Sequence, residues 1–306
     1  MSVIKASFLR IRSTAPLTTA ICVGIMHSAL VAQPGNTGFS FLTVSTGARN
    51  AAMGDVGAAM ASNLFGAFYN PAALSQLQTS NVGFMHHEGI FDMRREFVGG
   101  SVPLFAGGAM LGFDYFKVSS LESRDAPTEQ PLGYFDAQDM LLTGAYARGF
   151  GKRFSAGLAA KYAAERISDQ TATTLLFDGG GRYQINEMIT IGASVRNIGS
   201  KPVFYREKID LPLMVSGGIA ATVKTATAAV DVSSVKGAGT RVNLGAEKYL
   251  VDFFALRAGY KFGYDEESFA FGAGFVKSIW SIDYAFVPYK AGLGSNHRFA
   301  FTVSLK

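Results

Sequence analysis

From Thr79 to the last residue the chain repeats one pattern: segments of roughly ten residues in which apolar and polar-or-small side chains alternate. Met140, Leu142, Gly144 and Tyr146 alternate with Leu141, Thr143 and Ala145. Phe254, Leu256, Ala258, Tyr260 and Phe262 alternate with Ala255, Arg257, Gly259 and Lys261, and Phe299, Phe301, Val303 and Leu305 close the chain in the same way. Each segment is a strand with one apolar face. Roughly ten residues is the length a tilted strand needs to cross a bilayer, whereas strands of water-soluble sandwiches run nearer five or six. About fourteen such segments fit between Thr79 and Leu305, an even number as single-chain bacterial barrels require.

This predicts an all-β transmembrane fold: an antiparallel outer-membrane β-barrel of about 14 strands. A barrel that wide has a lumen too large to fill with wall side chains alone. The charges on the strands then have to face inward, because a Lys or Arg in hydrocarbon costs about 2–4 kcal/mol. The expected lumen-facing set is Asp178, Arg182, Arg196, Arg241, Glu247, Arg257, Lys261 and Asp283, joined by Asp114 and Asp231. Tyr146, Tyr162, Tyr183, Tyr249, Tyr260, Tyr284 and Trp280 are candidates for the interfacial aromatic belts. The connectors fall into two classes. Those at 150–153, 185–187 and 276–278 read as tight turns; those at 118–135, 168–172, 197–211 and 288–295 read as longer extracellular loops.

Ser45–Leu77 does not alternate. It is rich in Ala and Gly and poor in charge, and it is expected to occupy the lumen, with Arg49 and Asp55 as polar tethers to opposite charges on the wall. Asn70-Pro71-Ala72 marks a turn, since proline disfavours the α conformation at Asn70 and can itself open a short helix. The first 32 residues read as a secretory signal peptide, with Lys5, Arg10 and Arg12 ahead of an apolar run from Leu17 to Val31 that is too short to span a membrane. The expected division is therefore 1–32 signal, 33–78 luminal hatch or plug, and 79–306 barrel. Removing the signal lowers the formal charge from +5 to +2 and leaves no basic run of the kind nucleic acid needs. Cys22, the single cysteine, lies in the signal, so no disulfide is expected.

No catalytic constellation, cofactor motif or metal site is legible. His86 and His87 are adjacent and would point to opposite faces of a strand, which rules out shared ligation. His297 has no assignable Ser or Asp partner. Gly179-Gly180-Gly181 and Gly217-Gly218 lie inside strands and read as kinks or packing gaps rather than phosphate cradles.

Two motifs carry a family resemblance. Gly47–Gly57 (GARNAAMGDVG) followed by Ala67–Leu74 (AFYNPAAL) resembles the N-terminal signature of the PorV/PorQ family, within the wider group of FadL-like outer-membrane proteins. Val195–Gly199, Leu211-Pro212-Leu213, Ile282–Phe286 and His297-Arg298 add weaker matches, and position 50 is Asn where that family often has Pro. The resemblance implies a fourteen-stranded barrel with an N-terminal hatch. It also implies one of two tasks: a part in type IX protein secretion, with secreted cargo proteins and other secretion components as partners, or uptake of a hydrophobic small molecule through a movable hatch. Outer-membrane lipid is a partner under both.

Overall fold

The outward side chains of this chain are almost all apolar, and the strands arrange them around a closed wall. A computed structural model describes residues 37–44, 46–60, 64–90, 92–124 and 130–305. The expected signal peptide and its cleavage point lie outside those residues. The barrel strands are β1 (Ser80–Glu88), β2 (Arg94–Leu104), β3 (Gly107–Ser123), β4 (Gly133–Phe150), β5 (Phe154–Ile167), β6 (Gln170–Gln184) and β7 (Ile189–Gly199). After a short hairpin of β8 (Val203–Phe204) and β9 (Glu207–Lys208) follow β10 (Met214–Val223), β11 (Ala226–Val235), β12 (Gly239–Val251), β13 (Phe254–Phe262), β14 (Phe269–Lys277), β15 (Trp280–Pro288) and β16 (Ser295–Leu305). Neighbours pair antiparallel in chain order, β7 pairs with β10, and β1 pairs with both β2 and β16 to close a 14-stranded barrel.

Val82, Phe84, Val98, Leu111, Leu142, Leu158, Phe177, Ile219, Val232, Leu256, Phe271 and Ile282 are all exposed on the outer face. An apolar band that runs round the whole wall has no place in water and fits the hydrocarbon of a bilayer. No helix among the described residues is long and apolar enough to cross a membrane, so the crossing is made by strands.

One rim carries only tight turns (105–106, 151–153, 185–188, 224–225, 252–253 and 278–279), and the C-terminal strand ends there. The opposite rim carries the longer connections (89–93, 124–132, 200–213, 263–268 and 289–294) together with two short ones, 168–169 and 236–238.

Two expected loops are corrected. Half of 118–135 is strand: β3 and β4 continue as a paired ribbon past a register shift between Val118 and Leu121, where Ser120 has φ 58° and interrupts the alternation. The stretch 168–172 contracts to a two-residue turn, with Ile167 paired to Gln170. Tyr249 is also corrected. It follows Asn243 and Glu247 on the inward-facing parity of β12 and lines the lumen instead of the lipid belt. Tyr146, Tyr162, Tyr183 and Trp280 are exposed on the outside.

Residues 37–77 run down the inside, from the loop rim to the turn rim. Gly38 N–H donates to the Asp210 carbonyl at the loop rim, and the segment delivers the chain to β1 at the other end. It contains one short helix, α1 (Ala48–Ala52), and 3-10 turns at Ser40–Thr43, Leu64–Phe68 and Pro71–Gln76.

Candidate functional site

A segment threaded through a barrel must satisfy its own backbone, because little of it forms regular structure. The wall strands supply the partners. Asp231 of β11 accepts from Gly57 N–H at 2.6 Å and Ala58 N–H at 2.8 Å. Asn243 of β12 donates to the Gly54 carbonyl at 2.5 Å, Ser194 to the Tyr69 carbonyl at 2.8 Å, and Arg196 to the Phe68 carbonyl at 2.8 Å.

The two charged groups of the segment meet charges on the wall. Arg49, on α1, donates to Glu247 at 2.9 and 2.7 Å. Glu247 also accepts from Arg257 at 2.6 Å, and Arg257 reaches Asp283 at 2.8 Å. Burial alone would lower the Arg49 pKa, but the hydrogen bond and the charge of Glu247 outweigh it and hold the guanidinium above its ordinary value. Asp55 pairs with Lys261, which also binds Glu267 at 2.6 Å, while Arg298 lies 3.9 Å from Asp55. Asp55 sits at φ 65° just after Gly54 at φ 68°, in a turn closed by Asn50, whose side chain donates to the Val56 carbonyl at 2.7 Å. A proline at position 50 could not make that bond.

Asn70, Pro71 and Ala72 form the lower anchor. Asn70 caps the 3-10 turn by accepting from Ala72 N–H at 3.0 Å, and Pro71 opens that turn. The Asn70 amide also donates to the carbonyls of Ala58, at 2.7 Å, and Gly181, at 3.1 Å. It therefore joins two parts of the segment to β6. Asp178 pairs with Lys161, and its Oδ1 accepts from Asn197 N–H at 2.8 Å where a bulge interrupts the β6–β7 ladder. Arg182 donates to the Ala59 carbonyl at 3.3 and 3.1 Å. The Arg241 guanidinium lies 4.4 Å from the centre of the Tyr264 ring. Burial, followed by the nearby Asp55 charge, raises the Tyr264 phenol above its usual range.

Sequence reading missed the wall glycines. An added Cβ at Gly192 would overlap the Ala58 carbonyl, one at Gly157 the backbone of Pro71-Ala72, one at Gly180 the Asn70 side chain, and one at Gly259 the backbone of Met53-Gly54. These glycines let segment backbone lie directly on wall backbone.

The interior has two unlike halves. Against β7 and β10–β16 the contacts are mainly ionic and hydrogen-bonded. Against β1–β6 the segment packs an apolar cluster that includes Phe39, Phe41, Phe65, Phe68, Phe97, Phe116 and Leu141, alongside hydrogen bonds from Arg95 to the Val44 carbonyl at 2.8 Å and from Phe39 N–H to Glu165 at 2.6 Å. Phe68 meets Phe97 edge-on at 5.4 Å. Cavities flank the segment. One of about 540 Å³ opens at the loop rim, lined by Val44, Met93 and Val118 on one side and by Arg241, Tyr264 and Glu267 on the other. One of about 290 Å³ opens at the turn rim.

His86 and His87 point to opposite faces. His86 contacts Glu96 outside, and His87 is buried inside against Asn296. His297, expected to lack a serine partner, contacts Ser295 at 3.0 Å and Tyr284 at 2.8 Å on the outer face, away from the lumen. No cluster of metal-ligating side chains occurs among the described residues.

No family model matches this sequence, and no curated protein is similar to it in sequence. Solved structures are similar in fold. The toluene transporter TbuX of Ralstonia pickettii superposes with TM-score 0.62 at 12% identity, covering 86% of this chain and 99% of that one. The toluene transporter TodX of Pseudomonas putida gives 0.60 at 13% identity over 85% and 97%. A FadL homologue of Pseudomonas aeruginosa gives 0.58 at 12% identity over 86% and 98%. These neighbours are transporters, not enzymes. The chain thus has the fold of the FadL-like outer-membrane channels: a closed 14-stranded antiparallel barrel.

Proposed function

We propose that the protein is an outer-membrane channel for a hydrophobic small molecule, with residues 37–77 as its hatch. The observation that carries this reading is the division of the interior. On the β1–β6 side the hatch presents its largest apolar contact, the Phe cluster, beside hydrogen bonds to Arg95, Glu165, Gly181 and Arg182, and Val44, Met93 and Val118 extend that apolar surface into the loop-rim cavity. An apolar solute entering there replaces Phe–Phe contacts with contacts of the same kind. On the other side, ion pairs keep the hatch attached while it yields. The fold neighbours, named as toluene transporters and a FadL homologue, support the same class of task.

The secretion reading rests on the N-terminal resemblance to the PorV/PorQ family. It asks for loops broad enough to hold a folded partner, and half of the longest stretch first read as a loop is paired ribbon. The two readings separate in a deletion strain. Impaired uptake of an apolar compound such as toluene, with secretion intact, is the expected outcome; loss of secreted proteins with normal uptake would overturn it.

A further inference from the structure

The turn-rim cavity holds a charge that no carboxylate among the described residues pairs with. Arg182 of β6 is 4% exposed. Its Nε and Nη2 donate to the Ala59 carbonyl, and its Nη1 has no hydrogen-bond partner. Among the described residues no carboxylate forms an ion pair with it. Glu247 lines the same cavity but is already bound by Arg49 and Arg257. Every other buried Arg or Lys of the lumen that faces a carboxylate uses it: Arg95 with Asp114, Lys161 with Asp178, Arg257 with Asp283, and Lys261 with Asp55. A buried guanidinium with a free N–H and no counter-charge is costly, and a bound anion removes that cost.

The surroundings of Arg182 suit an anion. Thr190, Thr222 and Thr227 line the cavity beside it, and Thr222 and Thr227 stand opposite each other with their hydroxyls 3.1 Å apart. Lys224 stands at the mouth, in no ion pair among the described residues. We propose that this cavity is an oxyanion-binding site. The Arg182 guanidinium takes a carboxylate or phosphate group, the threonine hydroxyls donate to its remaining oxygens, and Lys224 draws it in. Since Arg182 also holds Ala59, an anion here engages the same side chain that pins the hatch. The site does not depend on the uptake reading.

The test is calorimetric titration of the full chain in non-ionic detergent with inorganic phosphate, chloride holding the ionic strength constant. Saturable binding is expected. It should weaken at least about tenfold in Arg182→Gln, the loss that follows from removing a charge-assisted hydrogen bond, and stay unchanged in Arg153→Gln, an exposed turn cation. Absence of saturable binding, or equal binding by folded Arg182→Gln, overturns the proposal. Should Arg182→Gln fail to fold, the double variant Thr222→Val/Thr227→Val decides: weaker binding supports the site and unchanged binding overturns it. Octyl phosphate separates the sources of the anion. Tighter binding than phosphate identifies the head of an amphiphile that travels the barrel; equal binding identifies a free oxyanion.

Discussion

Arg49 and Glu247 form a two-point bridge, with Nε and Nη2 on the two carboxylate oxygens at 2.9 and 2.7 Å, linking the luminal segment to β12 across 198 residues of sequence. Because Glu247 also pairs with Arg257, removing its charge takes a counter-charge from two cations at once, Arg257 keeping Asp283. Glu247→Gln is expected to destabilise the protein by about 3 kcal/mol, the usual cost of breaking a buried pair. Unfolding in urea measures it, and an effect near zero would mean that the bridge holds nothing.

The wall glycines make a paired prediction. Gly192→Ala puts a methyl where the Ala58 carbonyl lies and should dislodge the hatch, seen as faster hydrogen exchange at 57–60. Gly144→Ala meets nothing within 4 Å and should leave exchange there unchanged.

Asn70 caps one turn and ties together the backbone carbonyls of Ala58, Gly181 and Ala193. Asn70→Ala should cost about 1 kcal/mol for the cap and about 1–3 kcal/mol more for the carbonyls left unsatisfied. Thermal unfolding of the variant beside Ser75→Ala, a part-buried hydroxyl of the same turn, tests this.

The loop rim has a pH-dependent fastening. Hydrogen bonds from Lys201 and then Lys236 hold the Asp210 carboxyl below its ordinary pKa. A carboxyl lowered in the folded state contributes stability above its unfolded pKa and loses it as pH falls through the folded one. The difference in thermal midpoint between the wild type and Asp210→Asn should therefore be present at neutral pH and begin to shrink only as pH falls below about 4. A difference that persists in acid would show that the ion pairs are not its source.

The wall was legible in the sequence because its physics is local: period two sets the face, and the cost of charge in lipid sets the direction. Hence the strand count and the inward side of Arg257, Lys261 and Asp283 follow from a few residues at a time. The seating of the hatch was not legible, because it depends on pairs far apart in the chain. Gly180 reads as a packing gap until Asn70 is placed on it, and Asn50 reads as an odd residue until Val56 turns back to meet it. Tyr249 was misplaced because aromatic residues occur on both faces near a rim, and only its parity with Glu247 decides which. The β3–β4 ribbon was mistaken for a loop because one bulge at Ser119-Ser120 breaks the period on which strand reading relies.

The central claim is that the hatch moves to let an apolar solute through, and a reversible lock tests it most directly. Cysteines introduced as Phe68→Cys and Phe97→Cys, whose rings meet at 5.4 Å on the apolar side, would be joined by a short, reducible thiol cross-linker, with toluene flux into reconstituted vesicles measured before and after reduction. The expected result is flux in the unlinked variant, its abolition by the cross-link, and its return on reduction. Equal flux in the locked and released states would contradict the claim and make residues 37–77 a fixed plug.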